Sequence, residues 1–375
     1  MISALSWIPK GVFVVDPPSP SEKDIEESIP LHSKESDNED NKNDDDELED
    51  TIIYPTDSVS VTAYINFERE DHGLVMVWMF DDRDMNWFVH DYIELKASPL
   101  SMALLDCPIQ GGERGNFLAV GTMKPSIEIW NLDRIEEVAP CLVLGCTDGH
   151  TDSICGLASN KENRNIIASA GADSLVKIWD VVAEKCDITM GHHSNMVGAV
   201  AWNHHAPQLL LSGSFDHTLV LKDVRTPSHS GYRWSVTDDV ETIEWDPHAE
   251  HSFVAGLGDG SVKCFDIRTA TAESTSELSS TFTLHAHDRS VTSVSYNLSA
   301  PNLLATASYD QTVKLWDLSN NQPSCVASKN PGVGSIFCIS FSKDNPFMLA
   351  IGGRMVQFHA WDSLSDPGVF GRYGN

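Results

Sequence analysis

Histidine, serine or threonine, and aspartate recur at fixed spacing along this chain of 375 residues. Hydrolases build a nucleophile, a general base and an orienting carboxylate from these residue types. Here the sets recur at equivalent positions, which favours a structural role, and the sequence has no G-x-S-x-G, HExxH or phosphate-cradling glycine motif. We therefore expect no catalytic site. The three sets are His150, Ser169 and Asp173; His193, Ser212 and Asp216; and His287, Thr306 and Asp310.

The elements around these sets repeat. Short apolar strands recur, and the last residues of successive strands are 43 to 51 positions apart. Aromatic residues stand 21 positions before several of these ends, and the segments between alternate apolar and polar residues, so the pattern predicts four-stranded β units. The strand ends are Trp130-Asn131, Trp179-Asp180, Lys222-Asp223, Phe265-Asp266, Trp316-Asp317 and Trp361-Asp362, and the aromatic residues are Trp202, Trp245, Tyr296 and Phe341.

A seventh unit is predicted at the start of the chain. Its inner strand would be Ile2 to Ile8, with Trp7 in the position of Trp202, and its other strands would lie within 57–65, 75–82 and 86–95. We expect Val369 to Tyr373 to form the last outer strand, so that the ring closes at a junction between two units. Gly352-Gly353 is expected in a turn, where glycine supplies a positive φ.

These repeats resemble the WD-repeat β-propeller family. Its pattern of Gly-His, Ser or Thr, a turn Asp and Trp is matched by Gly149-His150, Ser169, Asp173 and Trp179. His287, Thr306, Asp310 and Trp316 match again, whereas Lys222 replaces the Trp in the repeat of His193. We expect a buried network in which Asp accepts from His, His contacts the hydroxyl, and the hydroxyl contacts the indole N–H. The predicted fold is all-β, a seven-bladed WD-repeat β-propeller with a disordered acidic insertion in its first blade.

The acidic residues are unevenly distributed. Residues 16–50 hold 15 acidic residues and three lysines, with few apolar side chains, which predicts disorder. The chain therefore divides into a first inner strand (1–15), the insertion (16–50) and the remaining propeller (51–375). The insertion is either a solvated loop or a tether for a basic partner. Ser21 and Ser36, each followed at +3 by an acidic residue, are candidate phosphorylation sites.

The whole chain carries a formal net charge of −30, which argues against binding nucleic acid through a general electrostatic field. No apolar run approaches a transmembrane helix. Pro9 and Lys10 interrupt the first apolar stretch, so we expect no signal peptide. The eight cysteines lack metal-ligand spacing and suit a reducing compartment. We expect no metal, no cofactor and no membrane contact.

Several segments together resemble the periodic tryptophan protein 1 family of nuclear and nucleolar WD-repeat proteins. They are ALSWIPKGV, SPLSMALLD, NFLAVGTMKPSIEIWNLD, DGHTDSICGLASNKENRNIIASAGADSLVKIWD, LLSGSFDHTLVLKDVR and the terminal AWD with VFGR. The resemblance implies ribosome biogenesis: assembly of pre-60S particles, processing of pre-ribosomal RNA and links to ribosomal-DNA chromatin. Several members carry a lysine-rich insertion and a C-terminal tail where this sequence runs directly from Leu144 to Gly149-His150 and ends at Asn375. We therefore expect RNA contact only through partners.

Three functions stay open at this stage. The first is a non-catalytic scaffold, a monomer within a larger complex, that binds basic ribosomal or pre-ribosomal proteins. The second is a histone- or chromatin-binding propeller. The third is a substrate receptor of a cullin–RING ubiquitin ligase, for which Asp223-Val224-Arg225 and Asp266-Ile267-Arg268 supply the Asp-x-Arg motif. Arg225 and Arg268 are thus candidate interaction residues, although pairing with acidic neighbours on the propeller face also explains them.

Overall fold

A computed structural model of the protein describes residues 1–10, 56–66, 72–81, 86–109, 115–134, 138–269, 280–355 and 358–374. Within these ranges the chain forms seven antiparallel sheets, each built from strands that follow one another in sequence. Such sheets are the blades of a β-propeller, and the predicted seven-bladed fold is confirmed.

The first four blades, numbered in chain order, have four strands each. Blade 1 comprises β1 (Ile2–Ile8), β2 (Val59–Ile65), β3 (Gly73–Asp81) and β4 (Asn86–Leu95). Blade 2 comprises β5 (Pro99–Leu105), β6 (Phe117–Thr122), β7 (Ile127–Asn131) and β8 (Leu142–Leu144). Blade 3 comprises β9 (Ile154–Ser159), β10 (Ile166–Gly171), β11 (Val176–Asp180) and β12 (Lys185–Met190). Blade 4 comprises β13 (Val197–Trp202), β14 (Leu209–Ser214), β15 (Thr218–Asp223) and β16 (Tyr232–Ser235).

Blades 5 and 6 also have four strands each, whereas blade 7, the last, has three strands among the described residues. Blade 5 comprises β17 (Val240–Trp245), β18 (Ser252–Leu257), β19 (Ser261–Asp266) and β20 (Phe282–His285). Blade 6 comprises β21 (Val291–Tyr296), β22 (Leu303–Ser308), β23 (Val313–Asp317) and β24 (Ser324–Lys329). Blade 7 comprises β25 (Ile336–Phe341), β26 (Met348–Gly353) and β27 (His359–Asp362), followed by the helix α1 (Pro367–Tyr373).

The core lies between blades. The second strands β6 and β22 are buried at every position, because neighbouring blades cover both of their faces. Ile127 and Ile129 of blade 2, for example, share one apolar cluster with Ile154 and Trp179 of blade 3. Each such side chain contributes about 1.5–3 kcal/mol when it is fully buried.

The ring closes between blade 7 and blade 1, as the sequence predicts, and among the described residues neither blade includes a strand from the other end of the chain. The innermost strands β1 and β25 are neighbours. Trp7 Nε1 donates to the carbonyl of Ser340 on β25 at 2.9 Å. Trp202 and Trp245 donate in the same way to the inner strand of the preceding blade. The closing junction therefore has the same chemistry as an internal one.

The expectation of a final strand at Val369 to Tyr373 is wrong, because these residues belong to α1. Asp366 caps the helix by accepting from the Gly368 amide, and Pro367 occupies its first turn. Val369 and Tyr373, four residues apart, lie on one helix face and pack against the cluster that contains blade 6 residues. Arg372 adds an ion pair to Asp317.

The prediction of a turn at Gly352-Gly353 is also wrong. Both residues lie in β26, and neither has a positive φ. A Cβ on Gly352 would lie 2.6 Å from Ile2 Cγ2, so glycine is required there for the close approach of blade 1. Gly260, in the turn between β18 and β19, does adopt a positive φ of 84°.

The insertion joins adjacent strands of blade 1. Ile8 of β1 pairs directly with Val59 of β2, so residues 9–58 leave and re-enter the same sheet. The predicted disorder of 16–50, together with Ser21 and Ser36, falls outside the described residues. Within the described part, no helix is long and apolar enough to cross a membrane.

Candidate functional site

The histidine set of blade 3 forms a continuous hydrogen-bonded network. His150 Nδ1 lies 2.9 Å from Asp173 Oδ1, and His150 Nε2 lies 2.7 Å from Ser169 Oγ. Trp179 Nε1 donates to the same hydroxyl at 2.8 Å. Ser169 is fully buried and His150 is 5% exposed, so no substrate can reach the hydroxyl.

Blade 6 repeats this arrangement. His287 Nδ1 lies 2.8 Å from Asp310 Oδ2, and its Nε2 lies 2.8 Å from Thr306 Oγ1. Trp316 Nε1 donates to Thr306 Oγ1 at 2.9 Å. Hydrogen bonding of every member removes the penalty for burying these polar groups.

Blade 4 substitutes a second histidine for the missing tryptophan. His193 contacts Ser212 Oγ at 2.8 Å and Asp216 Oδ2 at 3.1 Å, in the usual way. Lys222, which occupies the tryptophan position, points elsewhere and donates to the Pro227 carbonyl. His192 Nε2 instead lies 2.9 Å from Ser212 Oγ. Sequence reasoning missed His192, although the His-His pair was the available signal.

The environment fixes the charges in these networks. Burial lowers the pKa of His150, His193 and His287, so these imidazoles are neutral, while the carboxylates beside them oppose that shift. His192 has a pKa of about 3, because burial, His193, Lys222 and Arg233 all disfavour its protonated form. Burial alone would raise the pKa of Asp173, but the Thr151 amide and His150 hold it below its usual value.

Blade 1 contains half of a network that the sequence analysis did not identify. Trp78 Nε1 on β3 donates to Thr62 Oγ1 on β2 at 2.8 Å, and Thr62 is fully buried. The pair is 16 residues apart, whereas Ser169 and Trp179 are separated by ten. Because the spacing in blade 1 is longer, the repeat pattern did not identify Thr62 and Trp78 as equivalents of Ser169 and Trp179.

The two Asp-x-Arg motifs form ion pairs within themselves. Arg225 Nη2 lies 2.6 Å from Asp223 Oδ2, and Arg268 Nη2 lies 2.6 Å from Asp266 Oδ2. The two arginine side chains are 69% and 68% exposed. Hydrogen bonds from these arginines lower the pKa of Asp223 and Asp266. The guanidinium groups lie after the third strands of blades 4 and 5, at the end of the propeller where the inner strands also finish.

A cavity of about 300 Å³ lies at the centre of that same end of the propeller. We call it the channel-mouth cavity. It is lined by the last residues of inner strands, among them Trp7, Trp202 and Trp245, and by the loops that follow, which bring in Lys161 and Lys343.

Comparison with known proteins gives the family. The WD domain, G-beta repeat family matches residues 142–180, 184–223 and 278–317, the repeats that carry the three histidine sets. Periodic tryptophan protein 1 of Saccharomyces cerevisiae is 27% identical over 86% of this chain and 66% of its own length. The Drosophila melanogaster homologue of that protein is 25% identical over 88% of this chain and 73% of its own. Over most of its length the chain is similar to members of the periodic tryptophan protein 1 family.

A third relative, an uncharacterised WD-repeat-containing protein of Schizosaccharomyces pombe, is 34% identical over 87% of this chain and 65% of its own length. The chain thus spans about two thirds of the length of the curated relatives it matches. The similarity to these relatives extends over most of the propeller, beyond the three matched WD repeats.

One further group of side chains has the residue types that could hold a cation. Within the described ranges, His217, Asp238 and Asp239 bring ligand atoms within 4.8 Å of one another at the surface. His217 Nε2 already pairs with Asp239 Oδ1 at 3.2 Å, and Asp238 accepts from the Asp239 amide. We assign no metal to this group.

Proposed function

We propose that the protein is a non-catalytic WD-repeat scaffold in ribosome biogenesis. Its role would lie in pre-60S assembly and pre-ribosomal RNA processing, with a link to ribosomal-DNA chromatin, in the nucleus and nucleolus. The observation that carries this proposal is the similarity to periodic tryptophan protein 1 along 86–88% of the chain.

The histidine sets support a role without catalysis. A nucleophilic Ser169 would need access to substrate and a base free to take its proton. Ser169 is instead fully buried, and its oxygen is shared between His150 and the indole of Trp179. The same chemistry recurs in blades 4 and 6, so these residues stabilise the blades.

The charge supports basic proteins as partners. A net charge of −30 attracts ribosomal proteins and other basic factors and repels phosphate at long range. We propose that the protein acts as a monomer within a larger complex and meets RNA through these partners. Its contacts should weaken as salt rises.

Binding to isolated RNA tests directly whether the protein meets RNA only through its partners. We expect weak binding of the purified protein to pre-ribosomal RNA in an electrophoretic shift at about 0.15 M salt, since few basic residues cluster in the sequence. Submicromolar, saturable binding with a steep salt dependence would contradict the protein-mediated mechanism.

Affinity purification of the tagged protein, followed by identification of the bound proteins, distinguishes the three functions. Pre-ribosomal factors are the result we expect. Histones as the main partners would favour the chromatin-binding alternative. Ligase adaptors, lost on replacing Arg225 and Arg268 by alanine, would favour the ubiquitin-ligase alternative, because both side chains are exposed.

A further inference from the structure

The channel-mouth cavity concentrates positive charge on a strongly acidic protein. Lys161 comes from the β9–β10 loop of blade 3, and Lys343 comes from the β25–β26 loop of blade 7. Both lysines line the cavity. Desolvation and then the charge of Lys343 lower the pKa of Lys161 to about 8, while the Asp106 carboxylate opposes the shift. Burial and the neighbouring His205 lower the pKa of His204, which also lines the cavity, and both lysines add to that effect.

Neither lysine forms an ion pair of its own among the described residues, although the Asp106 carboxylate is near enough to Lys161 to favour its charged form. Lys161 Nζ donates to the Ser159 hydroxyl at 2.9 Å, a neutral acceptor. Arg164, in the same loop, is committed to Asp106, with Nη1 2.6 Å from Oδ2. Asp106 therefore offsets one of the positive charges of Lys161 and Arg164, and Lys343 adds a further one. Neighbouring like charges disfavour each other, and an anion bound in the cavity would relieve that repulsion.

The acidic groups that line the cavity do not cancel the positive charge of its lysines. Glu244 is half-buried and accepts from the Tyr296 amide. Desolvation of its carboxyl raises its pKa to about 8, so it is mainly protonated at neutral pH. Glu162 contributes one exposed carboxylate to the lining. The two lysines therefore exceed the local negative charge.

We propose that the channel-mouth cavity binds a small organic ligand that carries a phosphate monoester. The ester carries close to two negative charges at neutral pH and matches two ammonium groups, which bind phosphate as point charges. The apolar part of the wall, formed by Met102, Leu104, Leu157 and Val200, would receive an organic body. A volume of about 300 Å³ suits a ligand of that kind and excludes a folded polyanion.

Isothermal titration of the full-length protein with phenyl phosphate tests the proposal. We expect saturable binding with one site, tighter than that of inorganic phosphate, because only the ester fills the apolar wall. Lys343→Gln and Lys161→Gln should each weaken binding by roughly tenfold. Glu162→Gln should strengthen it, since it removes the competing carboxylate.

Lys124→Gln is the matched control. It makes the same change of charge on an exposed turn between β6 and β7, at the opposite end of the propeller. Equal weakening by Lys124→Gln would show a general field effect and overturn the site. So would equal affinities for phenyl phosphate and inorganic phosphate, no saturable binding at all, or displacement of phenyl phosphate by ribosomal RNA at submicromolar concentration.

Discussion

Each aspartate at these blade turns accepts hydrogen bonds from several donors. Asp173 accepts from the Thr151 and Leu175 amides as well as from His150, and its side chain is only 5% exposed. Asp310 accepts from the Thr312 hydroxyl and amide and from His287. These carboxylates fix the histidine ring and close the turn at the same time.

We therefore expect Asp173→Ala and Asp310→Ala each to lower the free energy of unfolding by about 1–3 kcal/mol, since buried donors lose their acceptor. Asp259→Ala is the matched control at the same turn of blade 5. Asp259 accepts from Thr237 and Ser261 and has no histidine partner, so its loss should be smaller. Denaturant melts measure all three, and equal losses at 259 and 310 would contradict the network argument.

His192 links this chemistry to pH. Its pKa is about 3 in the folded protein against a usual value of 6.5, so between these values the unfolded chain binds a proton that the native protein excludes. Stability therefore falls as pH decreases from 6.5 towards 3, by at most about 1.4 kcal/mol per pH unit from this residue.

His192→Gln should flatten the pH dependence, because glutamine keeps a donor for Ser212 and does not titrate. Denaturant melts between pH 6 and pH 4.5 give the slope. The exposed His229→Gln is the control and should match the wild-type slope. Parallel slopes for the wild type and His192→Gln would show that His192 is protonated in the native state.

At the scale of elements, the two ends of the chain meet at the junction between blades 7 and 1, and α1 follows blade 7. Gly352 faces Ile2 as Gly256 faces Val291 and Gly121 faces Ile154, so at these three junctions a missing Cβ admits the first residue of the next blade. Gly371 of α1, by contrast, has no atom near its Cβ position.

Gly352→Ala should destabilise the protein by about 1–3 kcal/mol, because the added methyl group overlaps Ile2 and Cys338. Gly371→Ala should be neutral or stabilise by up to about 1 kcal/mol, since alanine favours a helix. Chemical denaturation distinguishes the two. A tolerated alanine at 352 would mean that blades 7 and 1 do not meet closely.

The repeat pattern predicts the strands that recur from blade to blade. It does not predict the elements that occur only once. The strand bounds of β1 and the position of Trp7 follow from its likeness to the inner strands that end in Trp202 and Trp245. Val369 to Tyr373 also reads as a strand, but Asp366 and Pro367 are helix-start signals that the repeat frame obscured. His192 was missed because the repeat pattern assigns one histidine to each hydroxyl, whereas both adjacent histidines contact Ser212. The channel-mouth cavity was missed because Lys161 and Lys343 lie 182 positions apart in the sequence.

For the molecule as a whole, the propeller should fold independently of its acidic insertion. The insertion joins two strands that pair directly, and the cost of closing a loop grows slowly with its length. Replacing residues 16–50 by a short Gly/Ser linker should leave the melting temperature nearly unchanged. A loss of many degrees would show that the insertion packs against the propeller, contrary to its composition.

Sedimentation of a cell lysate through a density gradient, with detection of this protein, tests the scaffold function most directly. A scaffold held by basic pre-ribosomal proteins should migrate with particles of pre-60S size and shift to lighter fractions as salt is raised, because charge-dependent contacts weaken. The variant with residues 16–50 replaced should show whether the insertion or the propeller holds the particle. Migration as a free monomer at physiological salt would contradict the proposed role in ribosome biogenesis.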